Sequence, residues 1–199
     1  MAIALDAQDN GTSAVPGTSI TWSHTCTGSD LALIVGVLVI DSADTVTGIT
    51  YNTVAMTRIN RVANPTNNRA IYLYGLLNPA TGANNIVVSN SSSVNLYGQA
   101  TSYTGVSQSG LPDAQNTQNS DASSNFTTSV TTIADNCWIV GVAHATGGSF
   151  AAGTNTTFRG SATPTLRNID SNAAETPPGS FSQNTTTTAA DLHMHCIAS

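Results

Sequence analysis

Two alternating runs separated by two polar residues constrain this chain more than any other feature. Val46-Thr47-Gly48-Ile49-Thr50-Tyr51 and Val54-Ala55-Met56-Thr57-Arg58-Ile59 flank Asn52-Thr53. Alternation of apolar and polar residues sends successive side chains to opposite faces of an extended chain, one toward a core and one toward water. A two-residue loop between two such runs closes a β-hairpin. The tight turn needs left-handed backbone, which Asn52 tolerates. Thr53 suits it less, which leaves the turn type open.

The same pattern recurs along the chain. Ser19 to Thr25 alternates, with Ile20, Trp22 and His24 on one face. Leu31 to Ile40 is continuously apolar, which predicts a strand covered on both faces. That run is too short to span a membrane, which takes about 20 residues. Further strands are predicted over 69–77, 85–89, 94–103, 126–132, 137–145, 181–187 and 191–198. In the third of these, Tyr97, Gln99, Thr101 and Tyr103 share a face. Residues 107–125, rich in Ser, Gln, Asn and Asp with Gly110 and Pro112, read as a long surface loop. Residues 147–155 and 160–180, the latter with Pro164, Pro177 and Pro178, read as loops too. Short strands at intervals of about ten residues predict an all-β sandwich or barrel, with a single antiparallel β-sandwich the expected form. Its predicted core is Leu31, Leu33, Val35, Val37, Ile49, Met56, Leu73, Val87, Ile139 and Leu192. Residues 1–18, broken by Gly11 and Pro16-Gly17, read as an N-terminal arm or edge strand, and residues 19–199 as the sandwich domain.

Composition agrees. Charged residues make up 8% of the chain, against about 25% in ordinary globular proteins. Lysine is absent and Glu175 is the only glutamate, so helix formers are scarce while β-branched residues abound. The net charge is −6 with five arginines. Nucleic-acid binding needs cations to displace counterions from phosphates, so that role is not expected, nor is binding to an anionic membrane. The start, MAIALDAQDNGTS, shows neither the basic nor the long apolar region of a signal peptide. Synthesis in a cytosol is therefore expected. Cys26, Cys137 and Cys196 are odd in number and widely spaced, which favours buried thiols over a zinc site.

His193-x-His195 is the sharpest spacing. Two residues apart on a strand, the imidazoles point the same way, about 7 Å apart, where they could share a metal or gather around an oligomer axis. A metal needs more ligands than this pair, and Leu192, Met194, Cys196 and Ala198 form an apolar opposite face. The histidines are therefore expected on the outward side of an amphipathic last strand. With Ile3 and Leu5 of the arm, His193 and His195 are the candidate interface residues. No catalytic, metal-binding or cofactor-binding residue is predicted. Serines abound without a G-x-S-x-G elbow, and most aspartates, such as Asp113 and Asp121, lie in turn-like segments. His144 is expected to be a satisfied, partly buried histidine. Trp22, Tyr72, Tyr74, Tyr97, Tyr103 and Trp138 are expected in the core rather than as sugar-stacking platforms.

Four phrases add a resemblance. VTGITYNTVAMTRI, YGLLNPATGANNIVVS, ATSYTGVSQSGLPDA and TTSVTTIADNCWIVGVA resemble, in order, segments of a loosely defined group of β-sandwich proteins from tailed bacteriophages and bacteria. Some of that group are head-decoration or tail-associated virion proteins. The resemblance spans roughly residues 30–145 and implies a single jelly-roll-type sandwich. It implies a virion location and a structural role, foremost a capsid decoration (cement) protein bound to the major capsid protein. The alternative is a carbohydrate-binding or receptor-binding module of a tail or cell surface. On the particle the chain is expected to form homo-oligomers, a trimer first, because edge strands without lysine are guarded best by pairing with a neighbouring copy. The resemblance supplies no catalytic residue, and the chain is not expected to be an enzyme.

Overall fold

The computed structural model describes residues 2–13, 15–163 and 165–199, apart from the side chains of residues 161–163. Strands are numbered in chain order. A central sheet has the order β1 (Ala4–Thr12), β9 (Leu96–Thr104), β3 (Ala32–Val39), β7 (Arg69–Leu77) and β6 (Thr57–Asn64). A second sheet runs β2 (Gly17–Cys26), β8 (Gly82–Val94), β4 (Val46–Tyr51) and β5 (Val54–Ala55). A third runs β10 (Gln115–Thr131), β15 (Ser180–Ala198), β11 (Val140–Ala145), β14 (Leu166–Asp170) and β13 (Thr157–Thr163), with β12 (Ala151–Ala152) paired to β15. All these pairings are antiparallel.

The central sheet is packed on both faces. Leu33, Val35, Val37, Tyr72 and Leu96 meet Ile20, Trp22, Ile49, Ile86 and Val88 of the second sheet. Ile34, Leu38, Ile71, Leu73 and Tyr103 meet Val142, Leu166, Leu192 and Met194 of the third. Every residue of β3 is buried, as its unbroken apolar sequence requires. One close approach depends on glycine. Gly11 pairs with Gly98, and the Trp22 ring lies over both, inside the space a Cβ at either would occupy.

The hairpin turn forms where alternation places it, with Tyr51 paired to Val54, but the second strand expected over 54–59 pairs with the first only through Ala55; from Thr57 the chain crosses to the central sheet as β6 and pairs with β7. Asn52 (φ 48°) and Thr53 (φ 66°) are both left-handed. Positive φ at both positions defines a type I′ turn, whose twist matches that of the flanking strands. Within residues 1–18, Ala4–Thr12 form β1, at the edge of this chain's own central sheet, and Gly17 already begins β2.

Several expectations need correction. The chain stacks three sheets where a jelly roll has two, so the jelly-roll winding is not established. Val87 is only half-buried; Ile86 and Val88 on either side of it face the core. The loop expected over 107–125 stops at Ala114, because Gln115 to Ser120 pair with β15. A polar segment forms strand there because its partner completes the backbone hydrogen bonds, which propensity does not register. The loop expected over 160–180 holds part of β13 and all of β14, whose Leu166 and Ile169 are buried.

β10 and β15 are long because they bend together. Register shifts interrupt their pairing between Ser120 and Asn125. Beyond the bend the ribbon turns back over the outer face of the third sheet, where Val130 and Phe181 pack with Ile139, Ala143, Ile169 and Ile197.

Candidate functional site

The fold-back decides the fate of the histidine pair. His193 and His195 share a face, as their spacing requires, but both are wholly buried (0% exposed) beneath the ribbon instead of facing outward. Phe126 packs on both rings at 5.5 and 4.8 Å. Thr185 Oγ1 lies 3.0 Å from His193 Nδ1 and 2.8 Å from His195 Nε2, and Thr187 Oγ1 lies 3.1 Å from His193 Nε2. One proton assignment satisfies this chain. Thr187 donates to Ala189 O, so His193 Nε2–H donates to Thr187. Thr185 then donates to His193 Nδ1 and accepts from His195 Nε2–H. Both rings are neutral in it, and burial pushes the His195 pKa down to about 3. His144, on β11, is also buried, with Nδ1 2.9 Å from Thr165 O, and burial pushes it down to about 4.

A second cluster has the connectivity of a Ser–His–Asp triad. Asp9 Oδ2 lies 2.8 Å from His24 Nδ1, and His24 Nε2 lies 3.0 Å from Ser102 Oγ. Ser102 is wholly enclosed (0% exposed). Its hydroxyl donates to Asp6 Oδ2 at 2.6 Å. A substrate cannot reach this serine, and its proton is directed away from the imidazole. Asp6 also accepts from the Thr27 amide at 2.9 Å. The cluster fastens β1 to β2 and β9. Burial holds the His24 pKa low against the pull of Asp9 and Asp6. Asp6 itself is held below the ordinary carboxyl value, since the bonds from Ser102 and Thr27 outweigh its burial.

An open pocket remains at one end of the molecule, between the central and third sheets. It encloses about 430 Å³. Ile34 and Tyr103 come from the central sheet, Val106 and Leu111 from the loop after β9, and Trp138 and Val140 from the start of β11 and the segment before it. The Tyr103 and Trp138 rings meet edge to face at 5.6 Å. Tyr103 Oη donates to Asp170 Oδ2 at 2.8 Å, and Asp170 is held by Arg159 through contacts of 2.7 and 3.0 Å. Asp113, Asp135 and Cys137 lie at the pocket. Asp113 Oδ2 accepts from the amides of Ile133 and Ala134 at 2.7 and 3.2 Å, which fixes that loop. Burial and the adjacent Asp113 carboxylate push the Cys137 thiol up, so it is protonated at neutral pH rather than a poised nucleophile.

Of the four candidate interface residues, Ile3 lines this pocket and Leu5 is 36% exposed on β1, while the histidines lie in the separate fold-back. Val106, Leu111 and Trp138 had one sequence signal, apolar side chains beside polar turn segments, but nothing local says that they converge. All three cysteines are free thiols, and Cys26 and Cys196 sit in different sheets. Among the described residues, no group of three or more His, Cys, Asp or Glu side chains is placed to hold a metal ion. No protein family, curated protein or solved structure matches the chain.

Proposed function

We propose that this chain is a structural, non-enzymatic component of a bacteriophage particle, foremost an outer-surface decoration protein that contacts the major capsid protein. The observation that carries the reading is where the chemically versatile side chains have gone. All four histidines are buried and bonded into the scaffold, and the triad-like cluster of Asp9, His24 and Ser102 ties a strand down. Apart from the carboxylate of Asp121, what β10 exposes is neutral and hydrogen-bonding, as at Gln118, Asn125, Thr127 and Thr131. Such a body suits the task of presenting a rigid surface to a partner. The resemblance in the four sequence phrases supports the location. The sugar-binding alternative has less support, because the Asp113 carboxylate holds its own loop and Asp135 Oδ1 accepts from Thr176 at 2.9 Å.

The reading includes self-association, a trimer first. β10 lies at the edge of the third sheet. It carries Asp121 as its only charged residue and has no lysine, arginine or proline to discourage pairing. Two measurements test the proposal. A tagged chain produced in its host during particle assembly should band with particles in a density gradient and be reachable by antibody on intact particles. A chain that stays with the soluble proteins refutes the location. Light scattering that finds a monomer, together with no self-contact on the particle, refutes the oligomer.

A further inference from the structure

We infer that the pocket between the central and third sheets is a binding site for a small ligand with a flat, apolar ring body and no negative charge. A particle role does not require such a ligand, so the inference goes beyond it. The cavity of about 430 Å³ lies within the range of roughly 300–1,000 Å³ typical of small-molecule sites. Its walls are apolar, from Ile3, Ile34, Val106, Leu111 and Trp138. Trp138 is half-buried. Its ring is braced by Tyr103, which is braced in turn by Asp170 and Arg159, so it offers a fixed aromatic wall for stacking.

The loop over the pocket is already tied down. Gly105 N donates to Ser29 O at 3.3 Å, Val106 N to Asp30 O at 2.8 Å and Gln108 Nε2 to Leu31 O at 3.2 Å. A ligand entering a preformed site loses little affinity to ordering it. Charge sets the ligand class. Asp113 and Asp135 are the charged side chains among the lining residues. The five arginines lie elsewhere, at 58 and 61 on β6, 69 on β7, 159 on β13 and 167 on β14. An anion would meet carboxylates with no cation to receive it; a neutral or cationic ligand meets no such barrier.

A matched pair of dyes tests this on the intact chain. N-phenyl-1-naphthylamine is neutral, and 1-anilinonaphthalene-8-sulfonate is the same skeleton with a negative charge. The neutral dye should bind one per chain, brighten and quench tryptophan emission. The sulfonate should bind about tenfold more weakly, the size expected for carboxylates several ångströms away at an intermediate dielectric constant. Asp135→Asn should narrow that gap. Ala32 lines the floor and Ala134 the exposed rim, so Ala32→Leu fills the cavity from below and Ala134→Phe obstructs its mouth. Each should weaken the neutral dye by about tenfold or more, the loss of roughly 1.4 kcal/mol of contact. Should the floor variant fail to fold, the rim variant still decides. Three results overturn the inference: no neutral dye bound at its solubility limit, equal affinity for the sulfonate, or folded filling variants that bind like the wild type.

Discussion

Lowering the pH from 7.5 to 5.0 should remove about 4 kcal/mol of stability through two histidines alone. His144 and His195 are 2% and 0% exposed, and burial depresses their pKa values to about 4 and about 3. An unfolded imidazole titrates near 6.5. As the pH falls below that value the unfolded chain takes up protons and the native state does not. The stabilisation is therefore complete above about 6.5 and is lost as the pH falls toward the folded pKa values. The loss is about 1.4 kcal/mol per pH unit for each group, hence roughly 2 kcal/mol each at pH 5. His24 is left out because Asp9 and Asp6 oppose its burial. A deficit of about 4 kcal/mol is a large share of the 5–15 kcal/mol typical of a folded domain. Urea unfolding followed by tryptophan fluorescence at the two pH values measures it. His195→Gln keeps a donor toward Thr185 and removes the titration, so it should shrink the pH difference by about 2 kcal/mol. A difference below about 1 kcal/mol in the wild type, or one unchanged in His195→Gln, refutes the reasoning.

Three further outcomes are expected. Thr53→Gly should raise stability by about 1 kcal/mol in chemical denaturation, since a β-branched residue is strained at φ 66° and glycine is not. Gly98→Ala should cost about 2 kcal/mol, because its methyl group meets the buried Trp22 ring; a near-zero change would mean that the ring shifts freely. Asp170→Ala should cost about 3–5 kcal/mol by thermal or urea unfolding, since it strips the buried partner from both Arg159 and Tyr103.

What the sequence determined by itself was local. Side-chain alternation is a property of neighbouring residues, so it located the turn at Asn52-Thr53, the face shared by Ile20, Trp22 and His24, and the double burial of β3, but not the crossing of Thr57–Asn64 to the central sheet. Tyr97, Gln99, Thr101 and Tyr103 likewise face the third sheet together. Alternation is silent at Val87: in Ile86-Val87-Val88 all three residues are apolar, and only the pairing with β2 and β4 decides which faces in. Tertiary structure decided the rest, because it depends on partners far away in the chain. Gln115 to Ser120 look like loop until β15 supplies their hydrogen bonds. His193 and His195 look outward until residues 123–131 and 180–187 fold back over them, and the energy that holds them neutral is the desolvation this cover imposes. The pocket is the extreme case. Ile3, Ile34, Val106 and Trp138 span 135 positions of sequence and share a wall only because the third sheet, built from residues 115–198, docks on a central sheet built from residues 4–104.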